Sequence, residues 1–318
     1  MNFVDISYFH NRTNRAEGLL EAHRPNLSYF DHLPEDWQRT LIKFADAKGH
    51  LSKPGFEYHY FKGSSAKLWL PLAADRFIAR LKPDVVMVHG LIFPQQVLLL
   101  KTFLPKRSKI IIQHHAERPA PGRMQKLQKL ASKYVDAYLF STKDLAEPWI
   151  RQGIVEKEKV FEVMEGSSVM QKMDKPVART YLGLGDHPVF LWVGRLDKNK
   201  NPLLVLSAFD KHVKAEPGAK LYMVYHEYEP ALLRLMTDIV NSSSFLKDAV
   251  VLKGKLDRTE LAYWYNAADY YISGSFSEGS GYALIEAMSC GCIPIVSDIP
   301  SFGKITRDGA VGFLFPAG

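Results

Sequence analysis

A strand, a turn and a helix follow one another in the stretch Asp269-Tyr-Tyr-Ile-Ser-Gly-Ser-Phe-Ser-Glu-Gly-Ser-Gly-Tyr-Ala-Leu-Ile-Glu-Ala-Met-Ser-Cys-Gly291. Residues 269–273 have the length and apolar character of a buried strand. The apolar spacing after Gly281 predicts a helix, which ends at Gly291. This succession is typical of a parallel sheet covered by helices.

Two acids, Glu278 and Glu286, belong to this stretch. The pattern places Glu278 in the turn and Glu286 two turns into the helix. Gly279 and Gly281 let backbone N–H groups approach a ligand closely, and a helix N-terminus favours anionic or hydroxyl-rich groups. Each carboxylate can accept hydrogen bonds from hydroxyls. The alternative is that Glu278 is a solvated loop acid and Glu286 an ordinary helix acid.

Two cations follow another predicted strand, in Val189-Phe-Leu-Trp-Val-Gly-Arg-Leu-Asp-Lys-Asn-Lys-Asn-Pro202. Open α/β sheets bind ligands at the carboxyl ends of their strands. Arg195 and Lys200 stand at such an end, where they can hold a diphosphate, the arginine through paired hydrogen bonds and the lysine as a point charge. Taken without a partner motif, they would be surface cations.

Short apolar runs alternate with longer amphipathic stretches along the whole chain, which predicts doubly wound parallel sheets. The predicted strands are 3–8, 85–88, 109–113, 137–140 and 160–163 in the first half, and 189–193, 220–224, 249–252, 270–273, 293–296 and 312–315 in the second. Polar residues or glycine follow many of them. A ligand site at the strand ends is therefore expected.

The chain has 318 residues and a hydrophobic content of 47%. This length favours two domains, which we place at 1–168 and 169–318. No apolar run approaches the ~20 residues that cross a bilayer, and no signal peptide pattern opens the chain, so a cytoplasmic location is expected. Cys290 and Cys292 form neither a disulfide framework nor a zinc pattern, and we interpret both as packed thiols.

The net charge of +7 comes from the first half. Residues 101–133 contain nine basic residues and one acid, Glu117. Within 123–135, helical spacing predicts one apolar stripe, formed by Met124, Leu127, Ala131 and Tyr134, with lysines largely outside it. Such a face can meet anionic lipid headgroups. The alternative is a helix that packs on a sheet and solvates its lysines.

Together these motifs resemble the family 4 retaining glycosyltransferases, which have the GT-B fold of two Rossmann-like domains facing across a cleft. The matching residues are Gly194-Arg195-Leu196 with Lys200, Gly254, Asn266-Ala-Ala-Asp269, Glu278-Gly-Ser-Gly281, Glu286-Ala-Met-Ser-Cys-Gly291, Pro294, Asp308-Gly309 and Gly312. Residues 185–315 match in order. The first half matches more loosely, through residues 82–90 and 110–116.

The resemblance implies roles for the second half. Arg195 and Lys200 would bind the donor diphosphate in place of a metal and stabilise the charge that grows on it as the glycosidic bond breaks. Glu286 would hold the ribose hydroxyls, and Glu278 would lie beside the donor sugar. The other donor-binding positions implied are Gly194, Gly254, Lys255, Leu256, Gly279, Ser280, Gly281, Tyr282 and Ala283, with the base against 254–256.

In the first half, the resemblance implies that His115 lies at the reactive face of the sugar, where it binds a donor hydroxyl or the acceptor. His114 is the rival assignment, and a histidine at a strand end can also be purely structural. The pair His89-Gly90 either belongs to this site or shapes a tight turn.

The chain departs from the family's pattern in three places. Asn11, Arg12, Asn14 and Arg15 stand where members have a glycine-rich loop near the acceptor, and no Gly-Gly pair is present there. Ser280 replaces an aromatic residue. Members also continue beyond the point matching Gly318 with helices that return to the first domain, so we expect those helices to be truncated here.

The resemblance implies a hexosyltransferase-type, retaining enzyme that moves a sugar from a nucleoside diphosphate sugar to a hydroxyl of a glycan or lipid-linked acceptor, in polysaccharide, lipopolysaccharide or glycolipid assembly. The cationic and acidic pairs would converge on one crevice. No metal or other cofactor and no nucleic-acid partner is expected, and peripheral contact with an anionic membrane at its inner face is expected through 101–133. The alternative is a non-catalytic nucleotide-sugar-binding homologue or assembly partner.

Two other enzyme classes fit the sequence less well. A glycoside hydrolase also uses paired carboxylates, about 5 to 9.5 Å apart, but needs no diphosphate clamp. An NAD-linked dehydrogenase would open its first domain with Gly-x-Gly-x-x-Gly, which is not present there.

Overall fold

The computed structural model describes residues 1–11, 29–30, 32–64 and 69–317. The chain divides into two compact units, Met1–Gly166 and Ser167–Gly318. The boundary drawn from the sequence lies two residues later. Each unit contains one sheet with its own apolar core.

The first unit contains strands β1 to β8, which are Asn2–Asn11, Gln38–Ala45, Gly49–Lys53, Phe56–Lys62, Val85–His89, Lys109–Gln113, Ala137–Phe140 and Val160–Glu162. Its α-helices α1 to α4 are Leu72–Leu81, Pro94–Phe103, Gly122–Ser132 and Glu147–Arg151. Two short 3-10 turns, Lys143–Leu145 and Lys157–Lys159, complete the described elements.

The eight strands form one sheet in the order β3-β4-β2-β1-β5-β6-β7-β8. All neighbours are parallel except β3 and β4, which form an antiparallel hairpin at one edge. Strand β1 lies inside the sheet, and six consecutive residues of it are buried. A central parallel strand is covered on both faces, which explains its nearly continuous apolar run.

Strands β2, β3 and β4 were not predicted. Strand β2 was missed because Lys43 interrupts its apolar sequence, although Lys43 itself is buried. Strand β3 is mostly exposed or half-buried, because it pairs on one side only. Edge strands carry polar residues and therefore give a weak sequence signal.

The second unit contains strands β9 to β14, which are Val189–Leu196, Lys220–Tyr228, Val250–Gly254, Tyr270–Ser273, Ile293–Asp298 and Phe313–Pro316. Its α-helices α5 to α11 are Lys175–Leu182, Pro202–Ala215, Pro230–Ser242, Leu246–Ala249, Arg258–Ala267, Tyr282–Ser289 and Pro300–Thr306. A 3-10 turn, Lys198–Lys200, follows β9.

All the strand pairs of the second sheet are parallel, and the strand order is β11-β10-β9-β12-β13-β14. The direction of chain progression reverses between β9 and β12. In open α/β sheets, ligands bind outside the carboxyl ends of the strands at such a switch point. Every strand predicted for the second half is found. The prediction of a doubly wound α/β fold is therefore confirmed for this half.

Helix α10 begins at Tyr282, so Glu286 is its fifth residue and lies little more than one turn from the start. The prediction of two turns was wrong. The helix begins after Gly281, as predicted, because the left-handed φ of +59° at this residue is incompatible with an α-helix, and the four-residue step from Tyr282 to Glu286 amounts to little more than one turn.

Cys290 and Cys292 are both free and buried, as predicted. The Cys292 Sγ donates to the backbone oxygen of Tyr265 at 3.0 Å. Both thiols therefore belong to the packing between α9, α10 and the sheet.

Helix α3 buries Ala131 but ends at Ser132, and Tyr134 is 42% exposed in the following turn. The prediction that Tyr134 belongs to the apolar stripe of this helix was therefore wrong, because the helix ends before it. Lys126 and Lys129 are exposed on this helix. Across the described residues, no helix combines the length and the apolar character that crossing a bilayer requires.

Candidate functional site

The candidate site of the second unit lies at the carboxyl edge of its sheet, beside the switch point between β9 and β12. Strand β9 ends at Leu196, and the 3-10 turn that follows contains Lys200. Strand β12 ends at Ser273, and the turn after it contains Glu278. Parallel neighbouring strands end at the same edge, which brings these two turns together.

Lys200 and Glu278 are in direct contact. The Lys200 Nζ lies 2.5 Å from the Glu278 Oε1, and their side chains are only 18% and 13% exposed. The backbone holds both residues, because the Lys200 N–H donates to Asp197 Oδ1 at 3.0 Å and the Ser301 hydroxyl donates to the Glu278 carbonyl at 3.0 Å. The predicted cation and the predicted acid thus form one largely buried ion pair.

Arg195 lies near the end of β9, before the turn that contains Lys200. Its side chain is 54% exposed, and its Nη2 lies 3.4 Å from Asp197 Oδ2. The Asp197 carboxylate therefore contacts both predicted cationic residues: the guanidinium of Arg195 and the backbone N–H of Lys200. Gly194 lies beside Lys200, since a Cβ built on it would lie 3.6 Å from the Lys200 Cδ.

The turn between β12 and α10 has a backbone that only glycine satisfies at one position. A Cβ on Gly281 would lie 3.0 Å from Ile305 Cδ1 and 3.1 Å from Phe302 Cε1, in addition to the strain of its positive φ. The first N–H groups of the helix that follows, at Tyr282 and Ala283, have no acceptor within the helix. Ser280 is buried, and its hydroxyl has no hydrogen-bond partner among the described residues.

Glu286 is held by two residues that sequence reasoning missed. The Tyr265 hydroxyl donates to Glu286 Oε2 at 3.0 Å, and the Arg258 Nη2 lies 3.5 Å from Oε1. Burial raises the pKa of Glu286, and these two partners only partly offset the effect. Arg258 is the first residue of α9, capped by Asp257, and this capping pattern in the sequence was the available signal.

Tyr271 connects the two acids. It is buried on β12, and its hydroxyl donates to the Val193 carbonyl at 3.4 Å. Burial raises the pKa of Tyr271, and the negative charges of Glu278 and Glu286 raise it further. Both carboxylates therefore act on the same phenol and belong to one region of the unit.

The segment implied to face the base lies at the end of β11. Gly254 ends this strand with a φ of +71°, Lys255 is exposed, and Leu256 packs against the core below the sheet. The Lys253 Nζ lies 5.0 Å from the centre of the Trp264 ring. Arg258 follows directly on α9, so this segment leads to the residues around Glu286.

A second group of polar side chains lies at the carboxyl edge of the first sheet. His89 Nε2 lies 2.8 Å from Asp5 Oδ2, His89 Nδ1 lies 2.8 Å from His115 Nε2, and His115 Nδ1 lies 3.1 Å from Glu165 Oε2. Asp5, His89, His115 and Glu165 thus form a continuous series, which we call the histidine chain. Both ring nitrogens of His115 have partners within it.

The burial of each ring and the charges around it shift the pKa values of the two histidines of the histidine chain in opposite directions. Burial lowers the pKa of His89, and Asp5 only partly offsets this effect. Burial also acts to lower the pKa of His115, but the hydrogen bond and charge of Glu165, together with the charge of Glu117, raise it above its ordinary value. These directions favour the imidazolium form of His115, in which it donates to Glu165 and to His89, and the neutral form of His89, in which it donates to Asp5.

Asp5 has two further partners. The Lys43 Nζ lies 3.7 Å from Asp5 Oδ1, and the Tyr29 hydroxyl donates to Oδ2. Burial opposes ionisation of Asp5, but its interactions with His89, Lys43 and Tyr29 hold its pKa well below the usual range. The carboxylates of Asp5 and Glu165 thus face the Lys43 ammonium and the His115 imidazolium, and Glu117 adds a further negative charge beside His115. Asp5, Lys43 and Glu165 were missed, although a charge inside an apolar run was visible at Asp5 and Lys43.

His114 faces the core instead. Its ring is buried, lies 4.6 Å from the Phe140 ring centre to centre, and has its Nε2 3.0 Å from the Glu117 carbonyl. This environment is structural. Gly90 has a φ of +92°, and a Cβ there would lie 2.7 Å from Glu117 Oε1, so the glycine of the His89-Gly90 pair is required by the turn.

The predicted acceptor loop can be located only at its start. Asn11 ends β1, and its Nδ2 donates to the Phe44 carbonyl at 3.1 Å. Arg12, Asn14 and Arg15 lie outside the described residues.

A Glu165→Gln variant is expected to lower the pKa of His115, because it removes the negative charge that lies 3.1 Å from the His115 Nδ1. Because the pKa of His115 is higher in the folded than in the unfolded protein, protonation of His115 stabilises the folded state. This stabilisation is complete below the unfolded-state pKa of 6.5, and it is lost as the pH rises through the folded-state pKa. The variant should lose about 1–2 kcal/mol at pH 6 and less at pH 8. Proton NMR titration of the His115 ring and urea unfolding measure both effects.

Glu147→Gln, an exposed change in the same unit, serves as the control and should alter neither quantity. An unchanged His115 pKa in Glu165→Gln would contradict the proton assignment.

Residues 175–318 match the family described as "Glycosyl transferases group 1". GDP-mannose:cellobiosyl-diphosphopolyprenol alpha-mannosyltransferase of Xanthomonas oryzae pv. oryzae is 26% identical over 263 residues, which cover 80% of this chain and 65% of that protein. Phosphatidyl-myo-inositol mannosyltransferase of Mycolicibacterium smegmatis is 25% identical over 264 residues, with the same two coverages of 80% and 65%. The chain thus spans slightly less than two thirds of the length of these relatives.

Among solved structures, Anabaena HepE in complex with UDP and glucose has a TM-score of 0.71 to this chain at 15% identity, covering 100% of this chain and 86% of that one. At this identity the likeness shows the fold alone, which is GT-B with two Rossmann-like units. The predicted fold class is therefore confirmed.

Proposed function

We propose that this chain, whose residues 175–318 match the group 1 glycosyl transferases, moves a sugar from a nucleoside diphosphate sugar to a hydroxyl acceptor with retention of configuration. The observation that carries the proposal is the buried Lys200–Glu278 pair at the switch point, with Arg195 beside it. A cation pair and an acid at the carboxyl edge suit a diphosphate joined to a hydroxyl-rich sugar.

In the proposed donor site, residues at the carboxyl edge of the second sheet bind successive parts of the nucleoside diphosphate sugar. Arg195 and Lys200 bind the diphosphate, and the helix N-terminus at Tyr282 and Ala283 supports it. Glu278 accepts hydrogen bonds from the sugar, and Glu286 accepts them from the ribose. The raised pKa of Glu286 reflects a carboxylate held in a dry environment, where a hydroxyl donor is a stabilising partner.

Catalysis in this proposal is electrostatic. Negative charge grows on the diphosphate as the glycosidic bond breaks, and the fixed cations stabilise this charge more than they stabilise the bound donor. The leaving phosphate oxygen takes the proton of the attacking hydroxyl, which adds on the face from which the diphosphate departs. No protein nucleophile and no metal takes part in this scheme.

The histidine chain changes the role proposed for His115. Its two ring nitrogens already have partners in Glu165 and His89, so neither is free to bind a donor hydroxyl or the acceptor. We assign it instead a fixed positive charge at the carboxyl edge of the first sheet, which acts on anionic groups of the substrates.

The proposed acceptor is lipid-linked. The relatives are named for a diphosphopolyprenol and for phosphatidyl-myo-inositol, both lipids. On this chain, Leu130 and Tyr134 are 43% and 42% exposed beside Lys126, Lys129 and Lys133, an arrangement that suits contact with anionic headgroups at the cytoplasmic side of a membrane. Such an activity would serve glycolipid, polysaccharide or lipopolysaccharide assembly.

Calorimetric titration with UDP, GDP and ADP, followed by donor turnover with lipid-linked acceptors, tests the proposal. One nucleotide should bind with a micromolar Kd, and Glu286→Gln should weaken it about tenfold through loss of a charged acceptor. Glu216→Gln, an exposed acid of the same unit, is the control.

Absence of binding by all three nucleotides would overturn the proposed donor site. Tight binding without transfer to any acceptor would support the alternative of a non-catalytic nucleotide-sugar binder.

A further inference from the structure

Three metal-ligand side chains share one face of the hairpin formed by β3 and β4. The antiparallel register pairs His50 with His59 and Ser52 with Glu57. Directly opposed residues and residues two apart on a strand point to the same side of a sheet. His50, Glu57 and His59 are therefore neighbours, although the sequence separates them by up to nine residues.

The distances between these side chains suit a common ligand. His50 Nε2 lies 2.5 Å from Glu57 Oε2, and the ring centres of His50 and His59 are 4.4 Å apart. One ligand atom from each residue lies within 4.8 Å of the other two. Tetrahedral ligands at the usual zinc distances are ~3.4 Å apart, so small side-chain rotations bring the three atoms around one ion.

The surroundings orient two of the three side chains. The Ser52 hydroxyl donates to Glu57 Oε1 at 2.8 Å, which leaves Oε2 directed at His50. The His59 ring packs against Phe77 of α1, with ring centres 4.5 Å apart. Outer contacts of this kind fix ligand orientation in metal sites.

We propose that His50, Glu57 and His59 form a binding site for a divalent transition-metal ion of the zinc class, with two imidazole nitrogens and one carboxylate oxygen as ligands. A bound ion would join β3 to β4 and so stabilise the edge strand of the first sheet. Three protein ligands leave a fourth position for water or an exogenous ligand. The site lies on a different element from every residue of the proposed donor site, so it does not depend on the proposed function.

Titration of the full chain with zinc after chelator treatment tests this site, with cobalt absorption as a second probe. We expect one saturable site and a tetrahedral cobalt spectrum. His50→Gln and His59→Gln should each raise the Kd tenfold or more. His226→Gln, an exposed histidine of the second unit, should leave the Kd unchanged.

His50 is half-exposed, so its replacement tests the ligand without disturbing the core, whereas His59 also packs on Phe77. Zinc binding by His50→Gln with the affinity of the unaltered chain would overturn the proposal. An equal loss in His226→Gln, or no saturation up to millimolar zinc, would overturn it as well.

Discussion

Replacement of Lys200 by methionine is expected to reduce sugar transfer by about 100-fold or more. The proposed role of Lys200 is to neutralise charge that develops as the diphosphate departs, and removal of one such fixed stabiliser typically costs 10²–10³ in kcat. The effect should therefore be larger on kcat than on the Kd of the free nucleoside diphosphate. Steady-state kinetics and nucleotide titration on the same variant separate these two quantities.

The Lys200→Met variant also leaves Glu278 without its partner at 2.5 Å in a largely buried position. Some loss of stability is expected for this reason, so the unfolding midpoint must be measured beside the activity. The double variant Lys200→Met with Glu278→Gln removes both charges, and it should recover stability but not transfer.

Lys198→Met provides the matched control, because Lys198 lies in the same 3-10 turn and is exposed. Its activity should stay within about twofold, since exposed lysines contribute little. Transfer by Lys200→Met at the rate of the Lys198→Met control would eliminate Lys200 from the proposed donor site.

Replacement of Asp5 by asparagine is expected to destabilise the first unit by about 3–5 kcal/mol, the usual cost of removing one partner from a buried ion pair. Asp5 is fully buried, and the change leaves Lys43 and His89 without their carboxylate. Because the chain contains two units, the transition of the first unit should be followed separately in urea unfolding.

The pH dependence of this loss follows from the sign of the pKa shift. A carboxyl group whose pKa is lowered in the folded state stabilises it above the unfolded value of 3.8, and the contribution is lost as the pH falls through the folded value. The difference between the two proteins should be complete at pH 7 and should shrink below about pH 4.

Asp36→Asn, an exposed change in the same unit, should alter the free energy of unfolding by no more than about 0.5 kcal/mol. An Asp5→Asn protein as stable as this control would contradict the charge balance assigned to the histidine chain.

Much of the second unit was predictable because its signals are local. The strand, glycine turn and helix around Glu278 are encoded by apolar spacing and by Gly281, within about twenty residues. The apolar run of strand β9 likewise allowed Gly194 and Arg195 to be placed near its carboxyl end. Each such pattern depends only on neighbours in the chain, so a sequence without any structure contains it.

The partners of the site residues were not predictable in this way. Lys200 and Glu278 are 78 residues apart, and Tyr265 and Glu286 are 21 apart. The order of the strands in the sheet determines which two turns lie next to each other. Hydrophobic periodicity in the sequence contains no information about that order. The role expected for His115 changed for the same reason, since its partner His89 belongs to another strand.

The sequence alone thus determined where strands and helices form, which ends carry polar groups and which family the second half resembles, because burial periodicity and backbone preference act over a few residues. Only the tertiary structure decided that Asp5, His89, His115 and Glu165 contact one another in series, that Lys200 forms an ion pair with Glu278, and that His50, Glu57 and His59 are neighbours. Ion pairs and hydrogen bonds depend on distances of a few ångströms in space, and sheet pairing sets those distances independently of separation along the chain.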